Sequence, residues 1–305
     1  MLRILGAVLA LWAAGAGGAH AADLTRDYLN AYDDRCAFGA AHAKALRAYK
    51  VLLVPGYLGD LYPHYFNDHL RWLAAIGVER EKLPVHSGQS VSVNGPIIAA
   101  AIAQSAKPVI LITHSKGSVD TLEALLSDAN VRRKVKGWLS LQGTFFDSPV
   151  ADKLLDGSLL NPLVATLILG FFDGTQKSAQ NLTTDAAKTY YRNHATTIAP
   201  LLRDVPAIAF ASAVGSAPED QPSTTLEIPH ELMAREGIRN DGLVPLTSAI
   251  LPGMNYVKVS GVDHVATVMP ARRPFSRVRM TQALLLALIE PLRTLPRDAG
   301  CAPRR

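Results

Sequence analysis

The sequence predicts an α/β fold on a mostly parallel, doubly wound sheet, and three observations carry that expectation. The chain has 305 residues, of which 49% are hydrophobic and 19% charged. That is enough apolar material for a large core, and it excludes a disordered tail or a small disulfide-stapled scaffold. Five short apolar runs, bounded by Gly, Pro or polar residues, fit strands buried on both faces. Helix-like stretches lie between them, and strand–helix alternation is the pattern of a parallel sheet with helices on each side.

In chain order, residues 1–22 come first. They read MLRILGAVLALWAAGAGGAHAA: one Arg, an apolar run, then small residues ending in Ala19-His20-Ala21. This is the pattern of a secretory signal peptide, and its apolar run is too short to span a bilayer. The expectation is an exported protein, periplasmic or secreted, whose residues 23–305 form a single domain. No later stretch reaches 18 uninterrupted apolar residues, so no transmembrane helix is expected after the leader is removed.

The first strand is expected at 50–54, stopped by Pro55-Gly56. An Ala/Ile-rich helix follows at 96–105 and a second strand at 108–113. The next helix, 118–128, has Val119, Leu122, Leu125 and Leu126 at helical spacing. A third strand is expected at 137–142. Residues 144–204 then break the rhythm. They offer no strand, an apolar run at 159–172, and Thr183-Thr184-Asp185, which reads as the cap of a helix over 186–198. An insertion over about 145–204, a cap or lid above a site, is the expectation. Strands at 206–212 and 255–260 and a helix at 278–294 complete the pattern.

Charge does not point to nucleic acid. The formal balance is +5, but Lys and Arg are scattered, and the densest runs, Arg132-Arg133-Lys134 and Arg272-Arg273, carry no interleaved aromatics. The chain has two cysteines, too few for a disulfide framework or a zinc site. In an exported chain a Cys36–Cys301 disulfide is expected, tying the start of the mature protein to its end, against the alternative of two free thiols.

One constellation carries chemistry. The strand at 108–113 runs into Thr113-His114-Ser115-Lys116-Gly117 and then a helix. This resembles a G-x-S-x-G elbow in its strand–turn–helix context, with Thr113 in place of the first Gly. Val54-Pro55-Gly56-Tyr57-Leu58-Gly59 is a Gly-containing loop after an early strand, where such sites place one oxyanion donor; the residue after the nucleophile gives the other. Those donors would be the N–H groups of Tyr57 and Lys116. Asn240-Asp241-Gly242 puts a carboxylate on a tight turn, and Val262-Asp263-His264 puts a His on the loop after the last strand. The chain order Ser115, Asp241, His264 is that of α/β-hydrolases and not of the other two common triads. Should Asp241 not serve, Asp263 and Asp220 are next in line as the acid. Tyr57, Leu58, His114 and Phe66, with Tyr62, Tyr65 and the run 159–172, are expected to line an apolar acyl pocket.

On these residues the chain resembles a bacterial lipase of the α/β-hydrolase superfamily. The likeness rests on Val54-Pro-Gly-Tyr-Leu-Gly59, Ile112-Thr-His-Ser-Lys-Gly117, Asn181-Leu-Thr-Thr-Asp185 and its continuation to Tyr191, Asn240-Asp-Gly-Leu-Val-Pro245, and His264. Gly143-Thr144 with Ser148-Pro-Val-Ala-Asp152 adds to it. The resemblance implies a serine carboxylic-ester hydrolase acting on lipid or other apolar esters, with transient contact to a lipid interface and no cofactor. Short-chain esterase, thioesterase, polyester depolymerase and a catalytically silent binding protein are the alternatives. The family usually has His where Pro55 stands, and Gln or Met where Lys116 stands; the Lys116 side chain is expected near the site mouth. Several such lipases hold Ca²⁺ through an Asp just after the catalytic His. Here Val265-Ala266-Thr267 follows, so no metal is expected.

Overall fold

The computed structural model describes residues 21–298 and 301, apart from 58, 60, 61, 87, 147, 148, 156–182, 216 and 218. Within them, strands β1 (Lys50–Val54), β2 (Glu79–Lys82), β3 (Val109–His114), β4 (Val135–Leu141), β5 (Ala207–Ala213) and β6 (Asn255–Ser260) form one parallel sheet, ordered β2-β1-β3-β4-β5-β6. The helices are α1 (Thr25–Asp33), α2 (Ala40–Leu46), α3 (Asn67–Ala75), α4 (Val91–Gln104), α5 (Lys116–Ser127), α6 (Ala129–Lys134), α7 (Pro149–Leu155), α8 (Thr184–Asp204), α9 (Glu227–Ala234), α10 (Arg277–Leu288) and α11 (Glu290–Arg293).

The unbroken apolar runs follow from the period of a strand. Alternate side chains point to opposite faces, and here both faces are covered. Val51, Leu53, Ile110, Ile112, Leu139, Phe210 and Val257 pack on one side with Tyr28 of α1, Leu73 of α3 and Met280, Leu284 and Leu288 of α10. Leu52, Val54, Val109, Leu111, Trp138, Ala207 and Ala209 pack on the other with Ile98 and Ile102 of α4, Leu122 and Leu125 of α5 and Leu201 of α8. Fully burying such a side chain is worth about 1.5–3 kcal/mol.

Strand β2 and the C-terminal helix depart from expectation. Strand β2, Glu-Arg-Glu-Lys, has no apolar run to announce it. It is an edge strand half open to water, so charge is tolerated; Lys50 Nζ lies 2.8 Å from Glu81 Oε2 across the ladder. The expected helix over 278–294 is split at Ile289, which has extended backbone angles. Pro291 has no N–H to give to the preceding turn, and its ring would clash with the carbonyl four residues back, so it fits the first turn of a new helix but not the interior of a continuous one. Between β4 and β5 the described residues hold only helices, as expected. The leader through residue 20 and the apolar run 159–172 lie outside the described residues.

The chain moves from β1 outward to β2, then returns to place β3 on β1's other side. The loops after β1 and β3 therefore leave adjacent strands in opposite senses. This is the crevice at the carboxyl ends where open parallel sheets build sites.

Candidate active site

Ser115 stands at that crevice, between β3 and α5. Its φ is 53° and its ψ −131°, a left-handed, strained conformation for a residue with a Cβ. Its neighbours must be small. A Cβ on Gly117 would lie 2.5 Å from the Pro55 carbonyl oxygen and 2.7 Å from that of Val54; one on Gly56 would lie 2.7 Å from Ser115 Cβ. The glycines thus let the loop after β1 press directly against the elbow. Thr113, two before Ser115, is accommodated because its hydroxyl is held in a buried polar set. Trp138 Nε1 donates to it at 2.9 Å, and Ser118 Oγ lies 2.8 Å away.

His264 and Asp241 reach the same point from two other loops. His264 Nε2 is 3.0 Å from Ser115 Oγ, and its Nδ1 is 2.9 Å from Asp241 Oδ2. The second oxygen, Asp241 Oδ1, accepts from Leu243 N–H at 3.0 Å and Val244 N–H at 2.8 Å, so the Asn240-Asp241-Gly242 turn orients its own carboxylate. The His264 N–H also donates to the Asp241 carbonyl at 2.8 Å. A carboxylate accepts only, so His264 carries its proton on Nδ1 and presents the Nε2 lone pair to the Ser115 hydroxyl. All three residues are buried.

The other carboxylates considered for the acid are engaged elsewhere. Asp263 accepts from the Ser223 N–H and hydroxyl through Oδ2, and from the Val265 and Ala266 N–H groups through Oδ1. Asp220 pairs with Arg273 at 3.0 Å.

Lys116 is the first residue of α5, where a backbone N–H has no intrahelical partner. Its side chain is not at the mouth, contrary to expectation. It is 1% exposed, and Nζ lies 2.8 and 2.9 Å from the two oxygens of Asp120 one turn along α5. Asn94 Nδ2 of α4 donates to the same carboxylate at 2.9 Å. Burial holds the Asp120 carboxyl above the usual carboxylate range, and the Lys116 ammonium and Asn94 amide oppose it. The side chain turns inward because a carboxylate buried between α4 and α5 needs a cation.

The expected substrate-pocket residues separate. Tyr57 is half-buried in the loop after β1. Leu58 lies outside the described residues. Phe66 is fully buried in the core below the site, with φ 65°, its ring edge-on to His69 and Tyr65. His114 is 2% exposed and spends both ring nitrogens on interior partners. Phe66 and His114 therefore support the site from behind and offer no surface to a substrate.

Two further residues support the site: Gln142, which the sequence did not single out, and Tyr65, expected in the acyl pocket but buried behind it. Gln142, just past β4 with φ 50°, sends its amide N–H groups to Ser212 Oγ (2.6 Å) and to the Asp263 carbonyl (2.9 Å), and accepts from Thr267 at 2.7 Å. It braces the loop that carries His264. Tyr65 lies between the loop after β1 and His114, accepting the Gly56 N–H at 3.0 Å. Among the described residues no cluster of His, Cys, Asp or Glu could hold a metal ion. No helix among them is long and apolar enough to cross a membrane. Cys36 and Cys301 form a disulfide.

The chain is similar to a metagenomic carboxyl esterase, MGS0156, with a TM-score of 0.66 and 22% identity over 80% of this chain and 76% of that one. It is also similar to the mature form of the Bacillus licheniformis lipase BlEst2, with a TM-score of 0.60 and 18% identity over 81% and 92% of the two chains. At these identities the likeness shows the fold, that of the α/β-hydrolases. No protein-family model and no curated protein matches the sequence.

Proposed function

We propose that this α/β-hydrolase-fold chain is an exported serine carboxylic-ester hydrolase that works through an acyl-enzyme. The observation that carries the reading is the continuous line Ser115 Oγ, His264 imidazole, Asp241 carboxylate at 3.0 and 2.9 Å, with the serine on a strained elbow at a helix N-terminus. Ser115 Oγ attacks the ester carbonyl while His264 Nε2 takes its proton. The N–H groups of Tyr57 and Lys116 receive the oxyanion, helped by the positive end of α5. His264 returns the proton to the leaving alcohol, then activates the water that frees the acid. Asp241 keeps the ring in the required tautomer and offsets the imidazolium charge.

Apolar esters with medium or long acyl chains are the proposed substrates. The Asn181-Leu-Thr-Thr-Asp185 segment and the likeness to a protein named a lipase support that choice. The test is hydrolysis of p-nitrophenyl esters from acetate to palmitate. Ser115→Ala should reduce kcat by about 10⁶-fold; turnover equal to wild type would sink the mechanism. Hydrolysis confined to short chains would remove the lipase reading and leave an esterase. The exported product should begin at Asp23, and a full-length chain retained inside the cell would overturn export.

A further inference from the structure

Behind Ser115 runs a line of buried hydrogen bonds. The Gly56 N–H donates to Tyr65 Oη at 3.0 Å. Tyr65 Oη lies 2.5 Å from His114 Nδ1, and His114 Nε2 lies 2.8 Å from the His264 carbonyl oxygen. Its polarity is dictated by chemistry. A carbonyl only accepts, so His114 Nε2 holds the proton. The neutral ring then has Nδ1 as an acceptor, and the Tyr65 hydroxyl donates to it. The Gly56 N–H only donates, and fills a lone pair on Tyr65. An imidazolium would turn a second N–H onto the Tyr65 oxygen and deprive the hydroxyl proton of its acceptor.

The surroundings favour the neutral ring. The titratable groups facing His114 are Tyr65, His264 and His69; burial, with the adjacent His264, holds His114 well below the usual imidazole range. Burial likewise keeps the Tyr65 hydroxyl protonated, its pKa raised.

The two ends of the line are the loop after β1 and the loop after β6, with three strands between them in the sheet. At the first end both polar groups of Gly56 are tied: its N–H to Tyr65 and its carbonyl to the Gly59 N–H at 3.0 Å. The Gly56 carbonyl shares a planar trans peptide with the Tyr57 N–H, so fixing one aims the other. At the second end the bond is to the backbone of the base itself.

Resting on the hydrolase reading, we propose that His114 is a positioning residue that, with Tyr65, couples the oxyanion loop to the backbone of His264 and so sets the oxyanion donor and the base in one frame. Misplacing either by a fraction of an ångström is costly in rate while leaving substrate affinity largely alone. Tyr65→Phe, which keeps the ring, should lower kcat by roughly 10–100-fold with KM little changed, activity being normalised to folded protein by circular dichroism. His114→Gln, whose amide can still donate to the His264 carbonyl, should retain more kcat than His114→Phe. Wild-type kcat in folded Tyr65→Phe, or equal losses for Gln and Phe at 114, would overturn the proposal.

A readout independent of turnover completes the test. In ¹⁵N-histidine NMR spectra of Ser115→Ala at pH 7, His114 should appear as the neutral Nε2–H tautomer. An Nδ1–H tautomer or an imidazolium would overturn the proposal. Undiminished activity of Ser115→Ala would instead overturn the hydrolase reading, with the tautomer measurement still standing.

Discussion

The two oxygens of Asp241 do different work, and that division predicts how an amide would fail there. Oδ1 accepts from the Leu243 and Val244 N–H groups, whereas Oδ2 faces His264 Nδ1. In Asp241→Asn the amide oxygen keeps the first position, so the turn survives. The NH₂ group then faces His264 and forces Nδ1 to accept, which puts the ring proton on Nε2, toward Ser115. The fold should be retained and kcat should fall by about 10⁴-fold, as for a wrong-tautomer triad; an unchanged rate would move the acid's role elsewhere. Lys116 and Asp120 make the complementary case in stability. Lys116→Met strands a buried carboxylate and should cost about 3–5 kcal/mol in urea unfolding near pH 8. Adding Asp120→Leu should recover most of it. A loss below about 1 kcal/mol for Lys116→Met, the level of an exposed pair, would show that the charges do not depend on each other.

At the scale of elements, close approach matters more than attraction. Gly117 lets the first turn of α5 touch the backbone of β1's exit, and the obstacles to a side chain there are carbonyl oxygens of the main chain. Gly117→Ala must push α5 and the loop after β1 apart, and should lower both Tm and kcat; wild-type values of both would mean that the contact yields. Farther along, Asp152 of α7 accepts from the Thr184 N–H at 2.9 Å and from the Thr184 hydroxyl, while Thr183 Oγ1 accepts from Ala186 N–H. The start of α8 is thus capped partly by another helix. Asp152→Ala should cost about 1 kcal/mol. Elements whose cause is local were readable in advance: β1 and β6 from apolar or alternating runs, the α8 cap from Thr183-Thr184-Asp185, the strained elbow from small residues around Ser115. What was not readable has a tertiary cause. Strand β2 is held by its neighbour, Tyr65 and Gln142 take their roles from partners on remote segments, and Phe66 looked like a pocket aromatic until its left-handed backbone turned it into the core.

For the whole molecule, acid and reductant are the two informative stresses. His42, His69 and His114 each sit below the usual imidazole range, mainly because burial penalises the charged ring; His69 is lowered to about 3, and among the described residues neither of its nitrogens has a partner. In the unfolded chain these rings take protons near pH 6.5. The stability they hold is therefore complete above that pH and lost as pH falls toward their folded values, by up to about 1.4 kcal/mol per pH unit for each of the fully buried His69 and His114. The urea midpoint should drop between pH 7 and 5, and His69→Phe should flatten the drop; a level midpoint would contradict the shifts. Reduction of Cys36–Cys301, which closes most of the chain into a loop, should lower Tm in proportion to about 2–4 kcal/mol. The sheet itself has a further consequence. Its first described residues lie beside the start of β6: the Tyr256 N–H donates to the Ala22 carbonyl at 3.0 Å, and the Leu24 N–H donates to the Tyr256 carbonyl at 2.8 Å. His264, by contrast, follows β6's far end, about 13 Å from Tyr256 along the strand at its usual rise. The described chain therefore begins at the rim opposite the crevice that holds Ser115. A new N-terminus made by cleavage before Asp23 would lie clear of the mouth of that crevice.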